Sequence, residues 1–156
     1  MIVIDTSVAV KWTLAEPGHN NALALFDLDE QRYAPDLLLP ELTHVMRKKI
    51  LAGAVTFEQA HAALQSTKTA IKQFVPSSDI AAAALSLSET LRHSAYDCYF
   101  LAVAVGSGVL VTADGVFARK CAESGYGRFI FLLEDPVATL LAKTASLVVP
   151  TESSPE

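Results

Sequence analysis

Short apolar runs alternate with longer segments of helical periodicity along the chain. The apolar runs predict buried strands at residues 2–4, 32–34, 109–112 and 129–132, with a weaker one at 74–76. Apolar residues at helical spacing predict helices at residues 7–14, 20–28, 40–52, 57–72, 78–92, 95–105 and 116–124, and a further helix start at 135–136. Strands that alternate with helices are typical of a parallel sheet covered by helices, so the pattern predicts an α/β sandwich.

Capping residues mark the starts of several predicted helices. Thr56 with Gln59, and Ser94 with Asp97, form capping-box patterns at the starts of two of them. After about residue 146 the chain mixes Pro, Thr, Ser and Glu with too few apolar residues to bury. The sequence therefore predicts one domain at residues 1–145 and a tail at 146–156 that is disordered or binds a partner.

The composition is that of an ordinary globular protein. The chain has 156 residues, enough for one domain, and 51% of them are hydrophobic, which leaves apolar surface for a partner or a second copy. No apolar run reaches the roughly 18 residues that span a bilayer, and Asp5 interrupts the apolar N-terminal stretch. We therefore expect no membrane association and a cytoplasmic location. Cys98 and Cys121 have no Cys or His partner at metal-ligand spacing, so we expect buried free thiols.

The net charge of −5 is unusual for a protein that binds nucleic acid, because phosphate binding normally requires a basic surface. Whole-chain charge is a poor guide, however, if several acids converge and hold divalent cations, since the local field then reverses its sign. Basic residues are grouped in three places, which serve either as phosphate contacts or as ordinary solvated helix faces: Arg47, Lys48 and Lys49; Lys68 and Lys72; Arg119 and Lys120.

Four acidic residues stand at the ends of predicted elements. Asp5 follows the first strand directly, and Asp114 lies just beyond the strand that ends at Thr112. In open parallel sheets, ligands bind at the carboxyl ends of the strands. Glu41 and Asp97 each occupy the first turn of a predicted helix that is entered from a loop. We therefore expect all four carboxylates to converge at one edge of the sheet.

A carboxylate cluster of this kind predicts a metal-dependent reaction. Carboxylates that lie close together repel each other unless a cation sits among them. Oxygen ligands without His or Cys favour Mg²⁺ or Mn²⁺ over zinc, and such an ion activates a water for in-line attack on a phosphodiester. The hydroxyls of Thr6, Ser7 and Thr112 are candidates to orient ligands or waters.

Each acid also has a purely structural interpretation. Asp5 could cap the helix that follows it, and Glu41 could simply be an acid that the helix dipole favours in the first turn. Asp97 could be the reciprocal member of a capping box, and Asp114 with Gly115 could form an ordinary turn. No single acid decides between these interpretations and a catalytic role.

Four motifs, in this order and spacing, resemble the PIN-domain ribonucleases, and specifically the VapC-type toxins of bacterial type II toxin–antitoxin pairs. They are IVIDTS at residues 2–7, PEL at 40–42, YDCYFLA at 96–102, and LVTAD at 110–114 with Phe117 following. The resemblance extends from Met1 to about Leu133. It implies a PIN-like three-layer α/β/α sandwich with a central, mainly parallel five-stranded sheet.

The same resemblance implies an activity and partners. Asp5, Glu41, Asp97 and Asp114 match the acidic catalytic and metal-ligating positions of the family, and Ser7 and Thr112 match its accessory hydroxyl positions. The implied protein is a Mg²⁺-dependent endoribonuclease, with Mn²⁺ as a substitute cofactor. It would cleave RNA, form a homodimer, and be blocked by a cognate antitoxin protein.

Two other classes of protein compete with this interpretation. A strand-end Asp5 is similar to the nucleophile of haloacid dehalogenase-like phosphatases, but those enzymes need a second Asp two residues later, where this chain has Ser7. A non-catalytic PIN-like module that binds RNA or protein would be expected to lack one of the acids. All four acids are present, which favours the nuclease.

Overall fold

The computed structural model describes residues 1–147, which form one parallel sheet and the helices that flank it. The strands are β1 (Ile2–Ile4), β2 (Arg32–Pro35), β3 (Gln73–Val75), β4 (Val109–Thr112) and β5 (Ile130–Leu132). All neighbouring strands pair in parallel, in the order β3-β2-β1-β4-β5. This confirms the predicted α/β/α sandwich with a central five-stranded sheet.

Helices connect successive strands. The α-helices are α1 (Thr6–Thr13), α2 (His19–Ala24), α3 (Leu38–Leu51), α4 (Phe57–Ala70), α5 (Ser77–Leu91), α6 (Ala95–Ser107), α7 (Gly115–Glu123) and α8 (Val137–Leu147). Short 3-10 turns lie at Leu25–Asp27 and Gly127–Phe129. Within the described part of the chain, no helix has both the length and the apolar character needed to cross a bilayer.

The two central strands, β1 and β4, are buried along their whole length. Their Val, Ile and Leu side chains fit a strand that is covered on both faces, as a parallel sheet requires. Ile4 pairs with Val111, and the backbone N–H of Asp5 donates to the carbonyl of Val111 at 3.1 Å. The carboxyl ends of β1 and β4 therefore lie side by side.

Two hydrophobic clusters fix the helices around this edge. The larger cluster contains β1, β4 and the buried face of α6, including Phe100 and Leu101. The smaller cluster packs Val10 of α1 against Leu42 and Met46 of α3. This packing holds the start of α3 beside the start of α1, which follows β1 directly.

Several local predictions are confirmed. Thr56 and Gln59 form a complete capping box at the start of α4, with hydrogen bonds of 3.2 and 2.8 Å. Cys98 and Cys121 are both buried and free. Burial raises the pKa of the Cys98 thiol to about 11 and that of Cys121 to about 12, so both remain protonated.

Other local predictions are wrong. The helix predicted at residues 20–28 ends at Ala24, because the chain tightens into a 3-10 turn in which the N–H of Leu25 donates to the carbonyl of Ala22. The strand predicted at 129–132 begins one residue later, because Phe129 closes a second 3-10 turn. Helix α4 ends at Ala70, two residues before its predicted end, because Lys72 donates to the carbonyl of Arg32 in β2.

The last described helix reaches the first residues of the predicted tail. Helix α8 runs from Val137 to Leu147 and so includes residues 146 and 147. Leu140 of this helix is buried in the main core, which anchors the helix to the domain. Residues 148–156 of the predicted tail lie outside the described residues.

Candidate active site

A cavity of about 940 Å³ opens where β1 and β4 end. All four predicted acids line it: Asp5, Glu41, Asp97 and Asp114. They reach it from four places in the chain, namely the end of β1, the first turn of α3, the first turn of α6, and the start of α7. The structure thus places all four predicted acids in the wall of one cavity.

Asp5 is fixed by two hydroxyl groups. Ser7 Oγ and Thr112 Oγ1 each donate to Asp5 Oδ2 at 2.6 Å. The donors are themselves held, because Ala113 N–H donates to Ser7 Oγ and Asp114 N–H donates to Thr112 Oγ1, both at 3.0 Å. Asp5 stands just before α1, but its side chain makes no capping hydrogen bond, so the helix-cap interpretation is wrong for this residue.

Glu41 is held by the residue that follows Asp5. The Oγ1 of Thr6 donates to Glu41 Oε2 at 2.6 Å, and the Thr6 side chain is buried between α1 and α3. Two adjacent hydroxyl residues at the start of α1 therefore contact different acids: Thr6 holds Glu41, and Ser7 holds Asp5. The sequence predicts both hydroxyls as accessory groups without separating their partners.

Asp97 is turned toward a histidine that the sequence analysis missed. Its Oδ2 lies 2.8 Å from His93 Nε2. The predicted capping box of Ser94 and Asp97 is wrong, because the Ser94 hydroxyl instead accepts from Tyr96 N–H at 3.3 Å. The His–Asp spacing of four residues just before a helix was the signal that could have revealed this contact.

Asp114 has a structural role as well as a place in the cavity. Its Oδ1 accepts the N–H groups of Val116 and Phe117, at 2.8 and 3.0 Å, and so caps α7. The turn interpretation is therefore correct for one oxygen of this residue. The carboxylate is exposed, and Oδ2 takes no part in the cap.

Burial and mutual repulsion raise the pKa of three of these acids. For Asp5, burial raises the pKa, the hydroxyls of Ser7 and Thr112 oppose the shift, and the charge of Asp97 adds to it. Burial also raises the pKa of Glu41, against the hydrogen bond from Thr6, and the charges of Asp5 and Asp97 raise it further.

The pKa of Asp97 is raised first by burial and then by the charge of Asp114, while His93 lowers it. Asp5, Glu41 and Asp97 thus each carry an electrostatic penalty that includes a neighbouring carboxylate. A cation in the cavity would relieve all of these penalties at once.

The donor set fits a hard divalent cation. Carboxylate oxygens are the ligands that Mg²⁺ and Mn²⁺ prefer, and the residues that would hold the ion are Asp5, Glu41, Asp97 and Asp114. In residues 1–147 no three His, Cys, Asp or Glu side chains are gathered closely enough to surround one ion. Each carboxylate is directed instead to its own hydroxyl, imidazole or backbone donor.

Basic groups also line the cavity. Lys11 and Lys49 lie in its wall, and Lys49 forms an ion pair with Glu16. Lys49 belongs to the first of the basic groups in the sequence, whereas Lys11 was missed. Lys72 stands at the amino end of β3, on the edge of the sheet opposite the cavity.

Comparison with known families is consistent with this geometry. The PIN domain family model matches residues 2–123, so the chain belongs to the PIN-domain family. PIN domains are generally nucleases and typically use divalent metal ions, so the fold of this chain is that of a nuclease family. No curated protein matches the chain.

Proposed function

We propose that the chain is a Mg²⁺-dependent endoribonuclease in which Asp5, Glu41, Asp97 and Asp114 are the catalytic, metal-ligating residues. The observation that carries this proposal is that all four acids line one cavity at the carboxyl ends of β1 and β4. When bound, a divalent cation activates the attacking water and stabilises the charge that develops on the phosphodiester. Mn²⁺ shares the same ligand preference and would substitute for Mg²⁺.

The side chains around the acids have distinct tasks in this proposal. Ser7 and Thr112 both donate to Oδ2 of Asp5 and so fix the orientation of a carboxylate that would hold the cation. Thr6 orients Glu41 in the same way. These hydroxyls also favour the ionised carboxylates, because they stabilise the negative charge that burial penalises.

The walls of the cavity suit a nucleic-acid strand. Lys11 supplies positive charge in the cavity wall, where a backbone phosphate of a substrate would lie, whereas Lys49 in the same wall is paired with Glu16. Tyr96, beside Asp97, lines the cavity and is 62% exposed, which suits it to stack on an unpaired base. We therefore propose single-stranded regions of RNA as the substrate.

Matched oligonucleotides test this function. The purified chain is incubated with a single-stranded RNA and with DNA of the same sequence, in Mg²⁺ and in chelator. We expect RNA cleavage in Mg²⁺ only, and no cleavage by the Asp97→Asn variant, with folding checked by circular dichroism. Equal cleavage of RNA and DNA would contradict the proposal that RNA is the substrate. Equal cleavage in chelator and in Mg²⁺ would contradict the metal dependence.

We also propose that the chain is the toxin of a toxin–antitoxin pair, that it forms a homodimer, and that its antitoxin covers the cavity. The motifs shared with VapC-type toxins support this role. Apolar side chains such as Leu51 and Phe57 are more than half exposed, which leaves surface for partners. Expression of the wild type, but not of Asp97→Asn, should arrest growth, and co-expression of the neighbouring reading frame should restore it.

A PIN-like module that binds RNA without cleaving it is the second candidate. The observation in its favour is that the acids of residues 1–147 are not gathered around a single point. Tight RNA binding without cleavage in any divalent metal would support this candidate. The family assignment disfavours the phosphatase alternative, as does Ser7, which donates to Asp5 where a second acid would be required.

A further inference from the structure

The imidazole of His93 contacts two helices, α6, which contains Asp97, and α7, which Asp114 caps. Its Nε2 is 2.8 Å from Asp97 Oδ2 in α6. Its ring stacks on Phe117 of α7, with centroids 4.6 Å apart and an interplanar angle of 13°. Phe117 in turn donates its N–H to Asp114. The His93 side chain is only 14% exposed, so its position is set by packing rather than by solvent.

Lys120 determines which nitrogen of His93 carries the proton. Its Nζ donates to the carbonyl of Arg92 at 2.8 Å and lies 3.3 Å from His93 Nδ1. An ammonium group has donors only, so Nδ1 must accept, and the ring proton is then on Nε2. That nitrogen is the one that lies 2.8 Å from Asp97 Oδ2.

The backbone of this segment is held in an uncommon conformation. Arg92 ends α5 with φ of 46°, the left-handed region, and within residues 1–147 no other non-glycine residue has a positive φ. This conformation directs the Arg92 carbonyl to Lys120. The residue after Arg92 is held as well, because the Ser88 hydroxyl donates to the backbone carbonyl of His93 at 2.7 Å. Strain of this kind persists where the surroundings require a particular geometry.

The Nε2–H of His93 has no competing acceptor. The nitrogen is buried, and among the described residues it has no well-aligned hydrogen-bond partner. Its contact with Asp97 is short but bent, and no other acidic side chain of residues 1–147 forms an ion pair with this imidazole. Among the described residues, Asp97 is therefore the one acidic side chain that the Nε2–H of His93 can contact.

We propose that His93 is the positioning residue for Asp97: it contacts Oδ2, orients the carboxylate that would hold the divalent cation, and is itself set in the required tautomer by Lys120. This inference rests on the proposed function, because it assumes that Asp97 binds a cation. Groups that orient a metal ligand typically change metal affinity about 10- to 100-fold when they are removed. A merely structural histidine would change stability without changing affinity.

Direct Mn²⁺ binding, measured by calorimetry or by electron paramagnetic resonance of free Mn²⁺, tests this proposal without an activity assay. The variants are His93→Gln, His93→Asn and His93→Leu in the full chain. The Gln amide reaches the place of Nε2, the Asn amide only that of Nδ1, and Leu keeps the contact with Phe117. We expect the Mn²⁺ affinity of His93→Gln to lie within about threefold of the wild-type affinity. His93→Asn and His93→Leu should bind Mn²⁺ about 10- to 100-fold more weakly than wild type. All three variants should unfold cooperatively.

Nitrogen-15 spectra of the imidazoles test the tautomer, first in the wild-type chain and then in a folded Lys120→Met variant. We expect a protonated Nε2 and an unprotonated Nδ1 for His93, and loss of this preference in Lys120→Met. A protonated Nδ1 with a bare Nε2 in the wild type would overturn the proposal.

The binding results also separate this proposal from the proposed function. If wild type binds Mn²⁺ and Asp97→Asn does not, while folded His93→Leu binds as wild type does, only the positioning role of His93 fails. Equally weak binding by His93→Gln and folded His93→Leu would also overturn it, because a restored donor should restore affinity. If wild type and Asp97→Asn bind equally weakly, the metal site and the proposal both fail.

Discussion

The Thr112 hydroxyl at the end of β4 donates a 2.6 Å hydrogen bond to the Asp5 carboxylate at the end of β1, across 107 positions of sequence. Thr112 is fully buried, and its oxygen also accepts the N–H of Asp114. One buried hydroxyl therefore joins the two central strands and connects two of the four acids of the cavity.

Thr112→Val tests this connection. Valine has nearly the same shape, but it removes the donor to Asp5 and the acceptor for Asp114 N–H. Leaving such buried groups unpaired costs about 1–3 kcal/mol. We expect a loss of that size in urea denaturation, together with reduced Mg²⁺-dependent cleavage. Thr112→Ser keeps the hydroxyl and should recover most of both properties, whereas an unchanged urea midpoint in Thr112→Val would contradict the role of the hydrogen bond.

Two variants of Asp114 separate its capping role from its charge. Asp114→Asn keeps an oxygen that can accept from Val116 and Phe117, so we expect near wild-type stability but loss of cleavage. Asp114→Ala also removes the cap, which costs about 1 kcal/mol. Thermal unfolding and RNA cleavage of both variants provide the comparison. Full cleavage by a stable Asp114→Asn variant would show that the charge is not needed.

Thr6→Val tests the support of Glu41. The variant removes the 2.6 Å hydrogen bond to Oε2 and leaves the half-buried carboxylate without that donor. We expect activity to fall about 10- to 100-fold, as is typical when a group that orients a metal ligand is lost. Steady-state cleavage rates of Thr6→Val and Thr6→Ser provide the measurement, and Thr6→Ser should remain close to wild type. Equal cleavage rates for wild type and Thr6→Val would contradict the role of Thr6 in orienting Glu41.

Metal-free stability should decrease with rising pH. Burial raises the pKa of Asp5, Glu41 and Asp97 in the folded protein, so the folded state holds protons more tightly than the unfolded chain. The penalty is absent below the unfolded carboxyl pKa values of about 4 and complete above the raised folded values. We therefore expect the melting temperature in chelator to fall across that window, and Mg²⁺ to restore it at neutral pH.

Asp5→Asn provides the matched control for this pH dependence. Its amide oxygen can take the place of Oδ2 and accept from both Ser7 and Thr112, while one buried charge is removed. In chelator at neutral pH the variant should melt at a higher temperature than wild type, with a smaller dependence on pH and a smaller response to Mg²⁺. A variant less stable than wild type under these conditions would contradict the electrostatic penalty.

The central strands and the convergence of the acids could be predicted because their signals are local. Residues 2–4 and 109–111 are uninterrupted apolar runs, and parallel pairing then places Asp5 and Asp114 at one edge of the sheet. The boundary at Ala24 could not be predicted, because apolar residues continue at helical spacing through Leu28. The change to a 3-10 turn is visible only in the backbone hydrogen bonds.

The partners of each acid could not be predicted in the same way. A capping box was the natural interpretation of Ser94 and Asp97, but the imidazole of His93 competes for the carboxylate. That imidazole is placed by Lys120 and Phe117, which lie more than twenty residues away in α7. Such contacts depend on how α5, α6 and α7 pack, and no local pattern encodes them.

The most direct test of the central claim is the end chemistry of RNA fragments produced from total RNA in Mg²⁺, in Mn²⁺ and in chelator. Attack by an activated water, rather than by the ribose hydroxyl, predicts discrete fragments without 2′,3′-cyclic phosphates, formed only with divalent metal. A folded double variant, Asp5→Asn with Asp97→Asn, should produce none. Cyclic phosphate ends, fragments in chelator, or full activity of the double variant would contradict a carboxylate-held metal centre.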